Sequence, residues 1–93
     1  MLPEERRQPR HPMGAVAQRT GLSSDVIRAW ERRYGVVSPE RSSGGHRLYS
    51  DADVEKLRLL HRLTLAGRQI GGLVQLEQSA LRRVHQQRRF VVA

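Results

Sequence analysis

The sequence predicts a mainly α-helical fold of four to five helices with one short two-stranded β-hairpin. Apolar residues recur every three to four positions in several stretches of the chain, which is the spacing of one helix face. The stretch VVSPERSSGGHRLYS loses that period and sets a double glycine between two short β-compatible runs, as hairpins do. A length of 93 residues, 38% of them hydrophobic, supports one small core and not two.

The first segment, MLPEERRQPRHP, carries three of the four prolines, alternating charges and few apolar residues. Such a composition offers too little apolar burial to offset the entropy of ordering the chain. We therefore expect a flexible, basic, proline-containing arm over residues 1–12.

A helix-turn-helix is predicted next. The stretch MGAVAQRTG indicates a short helix from Met13 that Gly21 ends, with Leu22 then entering the core. Ser23 is a favourable N-cap for a second helix, 24–34. That helix has an apolar side formed by Ile27, Trp30 and Tyr34. Its opposite, polar side holds Ser24, Asp25, Arg28 and Arg32. Two short helices joined across TGLSS are typical of this motif.

A basic hairpin, or wing, follows over 37–49, with Val37 and Leu48 on its strands. Ser50 and Asp53 then have the spacing of a capping box, which predicts a helix to about Ala66. Leu59 and Leu63 lie away from the main apolar face of that helix. This favours packing on two sides, and the alternative is an apolar ridge for a partner. A further helix is expected to about residue 76 and another from about 79, unless the two are fused.

Charge points to an anionic partner. Lys+Arg number 17 against 9 Asp+Glu, a formal net charge of +8, and nucleic acid is the leading candidate. All but one of the basic residues are arginine, which suits bidentate contacts to phosphate and guanine. A bias in genomic base composition would explain the arginines equally well.

Several function classes are disfavoured. The chain has no cysteine, which excludes disulfides and thiolate metal sites, and it lacks an apolar run of membrane-spanning length. Its four histidines show no metal-ligand spacing, and SSGGH is not a phosphate-binding loop. We expect a cytoplasmic protein that is not an enzyme, holds no metal or cofactor and contacts no membrane.

The candidate DNA contacts lie on the second helix, with Ser24 and Asp25 at its start, and on the hairpin. Arg28 and Arg32 are one turn apart and suit the major groove, while Arg33, on the flank, would meet the DNA backbone or an acid. The hairpin candidates for phosphate are Arg41, His46, Arg47 and Tyr49. Two alternatives stay open: Tyr49 packs against the helix that follows, and His46 is merely solvated.

The segments GAVAQRTGLSSDVIRAWERRYG, PERSSGGHRLYSDADVEKLRLL and AGRQIGGLVQL occur in order with short spacings. From Met13 to about Leu76 they resemble the DNA-binding domain of the MerR family of transcription regulators, a winged helix-turn-helix. RAWERRYG and IGGLVQLEQSAL further resemble the N-terminal domains of members that carry a cobalamin-binding, light-sensing domain. Typical metal and drug sensors of the family show tyrosine or phenylalanine where Trp30 stands.

The resemblance implies roles for the matching residues. Arg28 corresponds to the family's DNA-contacting arginine, Arg47 and Tyr49 to the backbone contacts of the wing, and Arg19 to a basic position near phosphate. It also implies a DNA-binding domain over 13–76, with a C-terminal helix and basic tail over 77–93 that leads to an effector domain outside this chain. Any cobalamin would belong to that longer protein.

The expected function is that of a sequence-specific regulator, working at operator DNA in the nucleoid, whose binding at a bacterial promoter represses or remodels access by RNA polymerase, a further partner. The chain alone is expected to be a monomer or a weak dimer, because the family's long coiled-coil helix is absent. The alternative is an excisionase-like architectural protein that bends DNA. An RNA-binding role is disfavoured, since only 4% of the residues are aromatic and stacking platforms need more.

Overall fold

Four α-helices and a three-stranded antiparallel sheet make up the described part of the chain. The computed structural model describes residues 4–80. The helices are α1 (Met13–Thr20), α2 (Ser24–Tyr34), α3 (Asp51–Leu65) and α4 (70–80), and the strands are β1 (His11–Pro12), β2 (Glu40–Arg41) and β3 (Arg47–Tyr49). A single 3₁₀ turn covers Glu4–Arg7. The prediction of a mainly helical fold with a small wing is confirmed.

The turn between α1 and α2 is built as its sequence indicates. Gly21 ends α1 in the left-handed region, with φ of 78°, and its backbone N–H donates to the carbonyl of Ala17. That backbone conformation is unfavourable for residues with a Cβ atom, which explains a glycine here. Ser23 caps α2, because its hydroxyl accepts a hydrogen bond from the backbone N–H of Val26 at 3.2 Å. The two caps thus end α1 and begin α2 within three intervening residues, 21–23.

The core forms where α1, α2, α3 and β3 meet. Its largest completely buried side chains are Val16, Ile27, Tyr49 and Leu57, and Leu22 joins them as predicted. The expected apolar side of α2 is confirmed at Ile27. The aromatic residues Trp30 and Tyr34 are only half-buried and pack against the edge of the core. A helix this short turns one narrow stripe inward, so its flanking aromatic residues stay partly in solvent.

The sheet differs from the predicted two-stranded hairpin. Its order is β1-β3-β2, so the N-terminal segment adds a third strand, with His11 opposite Tyr49. The expected hairpin is formed by β2 and β3, in which Arg41 is opposite Arg47. Leu48 lies on β3 as predicted. Val37 does not lie on a strand: it is buried in the segment before β2, where it adds to the core.

The prediction of a flexible arm over residues 1–12 is wrong for residues 4–12. Arg6 pairs with Glu55, and Asp51 accepts hydrogen bonds from both Arg10, at 2.7 Å, and His11. The backbone N–H of Arg10 also donates to the carbonyl of Tyr49 at 3.0 Å. The prediction from composition considered only how much apolar surface the segment can bury. Ion pairs to acids near the start of α3, together with strand pairing, order a segment that has little to bury.

Helix α3 begins with the predicted capping box. The Ser50 hydroxyl accepts from the Asp53 backbone N–H at 3.1 Å, and the Asp53 carboxylate accepts from the Ser50 backbone N–H at 3.0 Å. The expected two-sided packing is not seen at Leu59, which is 49% exposed in the described structure. It borders an open groove between α3 and α4, so the alternative of an apolar ridge fits the described residues better.

Helix α4 is continuous over 70–80, which agrees with the fused form of the two expected helices. Most of the predicted C-terminal helix and tail, residues 81–93, lies outside the described residues. The proposed domain boundaries at 13 and 76 remain predictions. None of the helices within 4–80 is both long and apolar enough to cross a membrane.

Candidate nucleic-acid interface

The polar face of α2 is exposed, as its periodicity predicts. Arg28, Arg32 and Arg33 are exposed, as is Asp25 beside them. The guanidinium of Arg28 donates to the Asp25 carboxylate at 3.3 Å, but the Asp25 side chain is 93% exposed. Exposed pairs of this kind contribute little, because water screens them. Arg28 can therefore exchange Asp25 for a stronger acceptor on a ligand.

The wing tip is held by short-range hydrogen bonds. The backbone N–H of Ser42 donates to the His46 carbonyl at 2.8 Å, and that of Gly45 donates to the Ser42 carbonyl at 2.9 Å. Gly45 has φ of 82°, a conformation that suits glycine. The guanidinium of Arg41 donates to the Gly45 carbonyl at 2.9 Å, and the side chain lies exposed along the wing, where water can replace this bond. His46 is exposed beside it.

A cleft between α2 and the wing collects the arginines. We call it the arginine cleft, and it is lined by Arg28, Glu31, Arg32, Pro39, Arg41 and Arg47. Four arginines against one glutamate give it a formal charge of +3. A second depression, on the N-terminal side of the wing, is lined by Arg28, Arg41 and Arg47 again, together with His46. Cationic groups from the helix and from the wing thus meet on one continuous surface.

Glu31 is the part of this surface that sequence reasoning missed. Its side chain is only 10% exposed. One carboxylate oxygen, Oε1, accepts from the Tyr49 hydroxyl at 2.8 Å, and the other, Oε2, lies 3.2 Å from Arg47 Nε. A signal for it exists in the sequence. Glu31 is four residues after Ile27 and three before Tyr34, which places an acid on the buried stripe of α2.

The structure does not support the expected role of Tyr49 as a phosphate contact. Its side chain is completely buried, and its hydroxyl donates to Glu31. Burial, followed by the hydrogen bond to Glu31, raises the pKa of the Tyr49 phenol well above its ordinary value. The alternative placed Tyr49 against the helix that follows. The structure buries Tyr49 in the core, with its hydroxyl bonded to Glu31 of the preceding helix, α2. A completely buried hydroxyl cannot reach a phosphate without rearrangement of β3.

The remaining candidate residues are less closely grouped. Arg19 is exposed at the end of α1, and its backbone carbonyl accepts from Arg58 Nε at 3.0 Å. Arg33, Ser24 and Asp25 lie on α2 but do not line either of the two depressions. The structure therefore brings together two groups of candidate DNA contacts. Arg28 and Arg32, expected in the major groove, lie beside the wing residues Arg41, His46 and Arg47.

The described residues hold no cluster of three or more His, Cys, Asp or Glu side chains able to bind a metal ion. His61, half-buried against α1, makes a 2.8 Å contact from Nδ1 to the backbone carbonyl of Thr20. That contact requires the tautomer in which Nδ1 carries the proton. Its role is thus to satisfy a buried carbonyl group.

Comparison with known proteins agrees with this architecture. The model of the MerR HTH family of regulatory proteins matches residues 12–80. The chain is 42% identical over 52 residues to the transcriptional regulator MlrA of Escherichia coli, covering 56% of this chain and 21% of that protein. It is 50% identical over 52 residues to the transcriptional repressor CarH of Myxococcus xanthus, covering 56% and 17%.

Among solved structures, the fold is similar to that of HiNmlR, a MerR family regulator lacking the sensor domain, which was crystallised with promoter DNA. The TM-score is 0.68 at 20% sequence identity, over 76% of this chain and 54% of that one. At this identity the match concerns the fold, and it confirms the predicted winged helix-turn-helix. The chain spans about a fifth of the length of the curated relatives named above.

Proposed function

The chain belongs to the MerR HTH family of regulatory proteins, and on that premise we propose that it is the DNA-binding part of a sequence-specific transcription regulator. The observation that carries the proposal is the arginine cleft, in which side chains from α2 and from the wing face one surface. A ligand that satisfies both must present regularly spaced negative charge over the width of a helix and a hairpin. Double-stranded DNA has that form.

In the proposed complex, α2 enters the major groove. Its exposed arginines, Arg28 above all, donate to guanine edges or to phosphates, with Arg32 and Arg33 beside it. The wing, through Arg41, His46 and Arg47, holds the flanking backbone. Ser24 and Asp25 lie at the N-terminus of α2, the end that enters first in this kind of docking, and Arg19 is a further backbone contact.

Promoter or operator DNA is the partner that we propose, with repression through competition against RNA polymerase in the bacterial cytoplasm, at the nucleoid. One α2 and one wing supply the contacts of a single half-site. We therefore propose that this chain by itself binds as a monomer or a weak dimer, one copy per half-site. The family match extends through α4, which favours a regulator over the excisionase-like alternative.

The experiment that tests this function is an in vitro selection of the chain against random double-stranded DNA at near-physiological salt. A recurrent motif of several base pairs is the expected result. The matched control is Arg62→Ala, which removes an exposed arginine from α3, outside the arginine cleft. It should select the same motif, whereas Arg28→Ala should blur it. Retention of DNA without any motif would contradict sequence-specific regulation and favour the architectural alternative.

A further inference from the structure

The arginine cleft, proposed above to bind DNA, also contains a carboxylate. Glu31 is the single carboxylate among the residues that line the arginine cleft. A negative charge there opposes the approach of phosphate, so its presence does not serve binding strength directly. Burying a carboxylate is also unfavourable unless it is paired. Glu31 therefore contributes something other than affinity.

The two oxygens of Glu31 connect α2 to both ends of β3. Oε1 accepts from the Tyr49 hydroxyl at 2.8 Å, where β3 enters the core. Oε2 lies 3.2 Å from Nε of Arg47, the residue that starts β3 at the wing. Tyr49 is completely buried and so provides a fixed anchor. The wing is consequently attached to α2 through one carboxylate.

The contact to Arg47 leaves that residue able to bind a ligand. It uses Nε and falls outside hydrogen-bond geometry, since Oε2 has no hydrogen-bond partner among the described residues. The two Nη groups, which form the usual fork toward phosphate, donate no hydrogen bond to Glu31 in the described structure. The Arg47 side chain is 30% exposed. Glu31 thus restricts the direction of the guanidinium without occupying its donors.

A fixed arginine and a mobile arginine behave differently on DNA. A mobile guanidinium finds a phosphate on any sequence, because it adapts to the backbone that it meets. A fixed one donates well only where the backbone passes through one position, and that position must agree with the base contacts of α2. Fixing Arg47 therefore makes a backbone contact depend on correct docking.

On this basis, and resting on the function proposed above, we propose that Glu31 is a positioning residue that holds Arg47 and the wing in register with α2, so that it sets the preference for specific over random DNA. By its charge it also lowers attraction to arbitrary sequences. Glu31 does not itself contact DNA.

The test is Glu31→Gln, measured on the selected operator and on random duplex DNA across a salt series. The amide oxygen still accepts from Tyr49, so the fold keeps its anchor, while Arg47 loses its counter-charge. We expect tighter binding to random DNA, a salt slope steeper by about 0.9, and a ratio of specific to random affinity that falls roughly tenfold. Equal changes on both DNAs would overturn the proposal.

Two matched variants separate positioning from charge. Glu40→Gln removes the same charge from an exposed position on β2, and should tighten random binding while leaving the ratio near that of wild type. Arg47→Gln removes the other partner of the Glu31–Arg47 contact. In that background, Glu31→Gln should change the ratio of specific to random affinity little further. A tenfold fall of the ratio in the Arg47→Gln background would show that Glu31 does not act through Arg47.

A measurement without DNA separates this inference from the proposed function. The ¹⁵N–¹Hε signal of Arg47 in NMR relaxation should report an ordered side chain in the wild type and a mobile one in Glu31→Gln. Equal mobility in both proteins would refute the positioning role, whatever the DNA results. If wild type shows no sequence preference while Arg47 is ordered by Glu31, the regulator function fails and the positioning contact stands.

Discussion

The hydroxyl of Tyr49 donates a 2.8 Å hydrogen bond to Oε1 of Glu31, and so joins the last residue of the wing to the helix that carries the exposed arginines. Both side chains are largely withdrawn from water. The wing is therefore fastened to α2 at its base, while local hydrogen bonds hold its tip at 42–46. Because both side chains belong to the packed interior, the packing of the core sets the angle between the wing and α2.

Tyr49→Phe should destabilise the fold by about 1–3 kcal/mol, because Oε1 of Glu31 is left buried without its donor. The matched control is Tyr34→Phe: the Tyr34 hydroxyl makes no hydrogen bond within residues 4–80, and its loss should cost less than about 0.5 kcal/mol. Urea unfolding at pH 7 measures both. Equal costs for the two variants would contradict the structural role of the Tyr49 hydroxyl.

The same bond predicts an alkaline pH dependence. The folded-state pKa of Tyr49 is raised, so the group favours folding fully below its ordinary pKa of about 10, and that contribution declines at higher pH as the unfolded chain ionises first. The stability difference between wild type and Tyr49→Phe should therefore shrink above pH 10. Unfolding curves between pH 8 and 11 test this. A difference that grows with pH would be incompatible with the buried hydroxyl.

The salt dependence of DNA binding should reveal how many phosphates are neutralised. If about six are contacted, the logarithm of the association constant should fall against the logarithm of salt concentration with a slope near −5. Fluorescence anisotropy with a labelled duplex gives the slope directly. A slope near zero would remove the electrostatic basis of the interface.

Arg28→Ala and Arg41→Ala should change DNA binding in different ways. Arg28 lies on the exposed face of α2, and its loss should cost roughly 1–3 kcal/mol on the selected site while relaxing one base preference. Arg41 lies along the wing, and its loss should weaken all sequences alike and reduce the salt slope by about 1. Competition binding against single-base variants of the site distinguishes them. Identical losses on specific and random DNA for Arg28→Ala would exclude a base contact.

Acid should weaken the attachment of the N-terminal segment. The hydrogen bond from His11, and then that from Arg10, hold the pKa of the Asp51 carboxyl below its usual range. Its contribution to stability is therefore complete above the unfolded-state pKa of about 3.9 and is lost as the pH falls through the lower folded-state value. Asp51→Asn should be less stable than wild type at pH 5, with a difference that disappears in strong acid. The matched control is Asp25→Asn: the Asp25 side chain is 93% exposed and its pair with Arg28 is screened by water, so its replacement should change stability less at pH 5.

Much of this molecule could be predicted from its sequence because the determining interactions are local. Gly21, Ser23 and the pair Ser50 and Asp53 act on backbone groups within a few residues of themselves, so a pattern of residue types suffices to place the helix ends. The exposed arginine face of α2 follows in the same way from helical periodicity. The hairpin was predicted from the loss of helical period, and the family resemblance then added Arg19 as a basic position near phosphate and the role of a transcription regulator.

Only the tertiary structure decided which long-range partners these residues meet. Residues 4–12 were expected to be flexible and are ordered, because Glu55 and Asp51, more than 39 positions along the chain, supply their charges with partners. Tyr49 was expected at phosphate and is buried against Glu31, 18 positions away. Composition and periodicity carry no information on such pairs, since the pairs depend on how the helices and the sheet pack. The sequence thus determined the elements and their exposed charges, while packing determined which of those charges remain available to a partner.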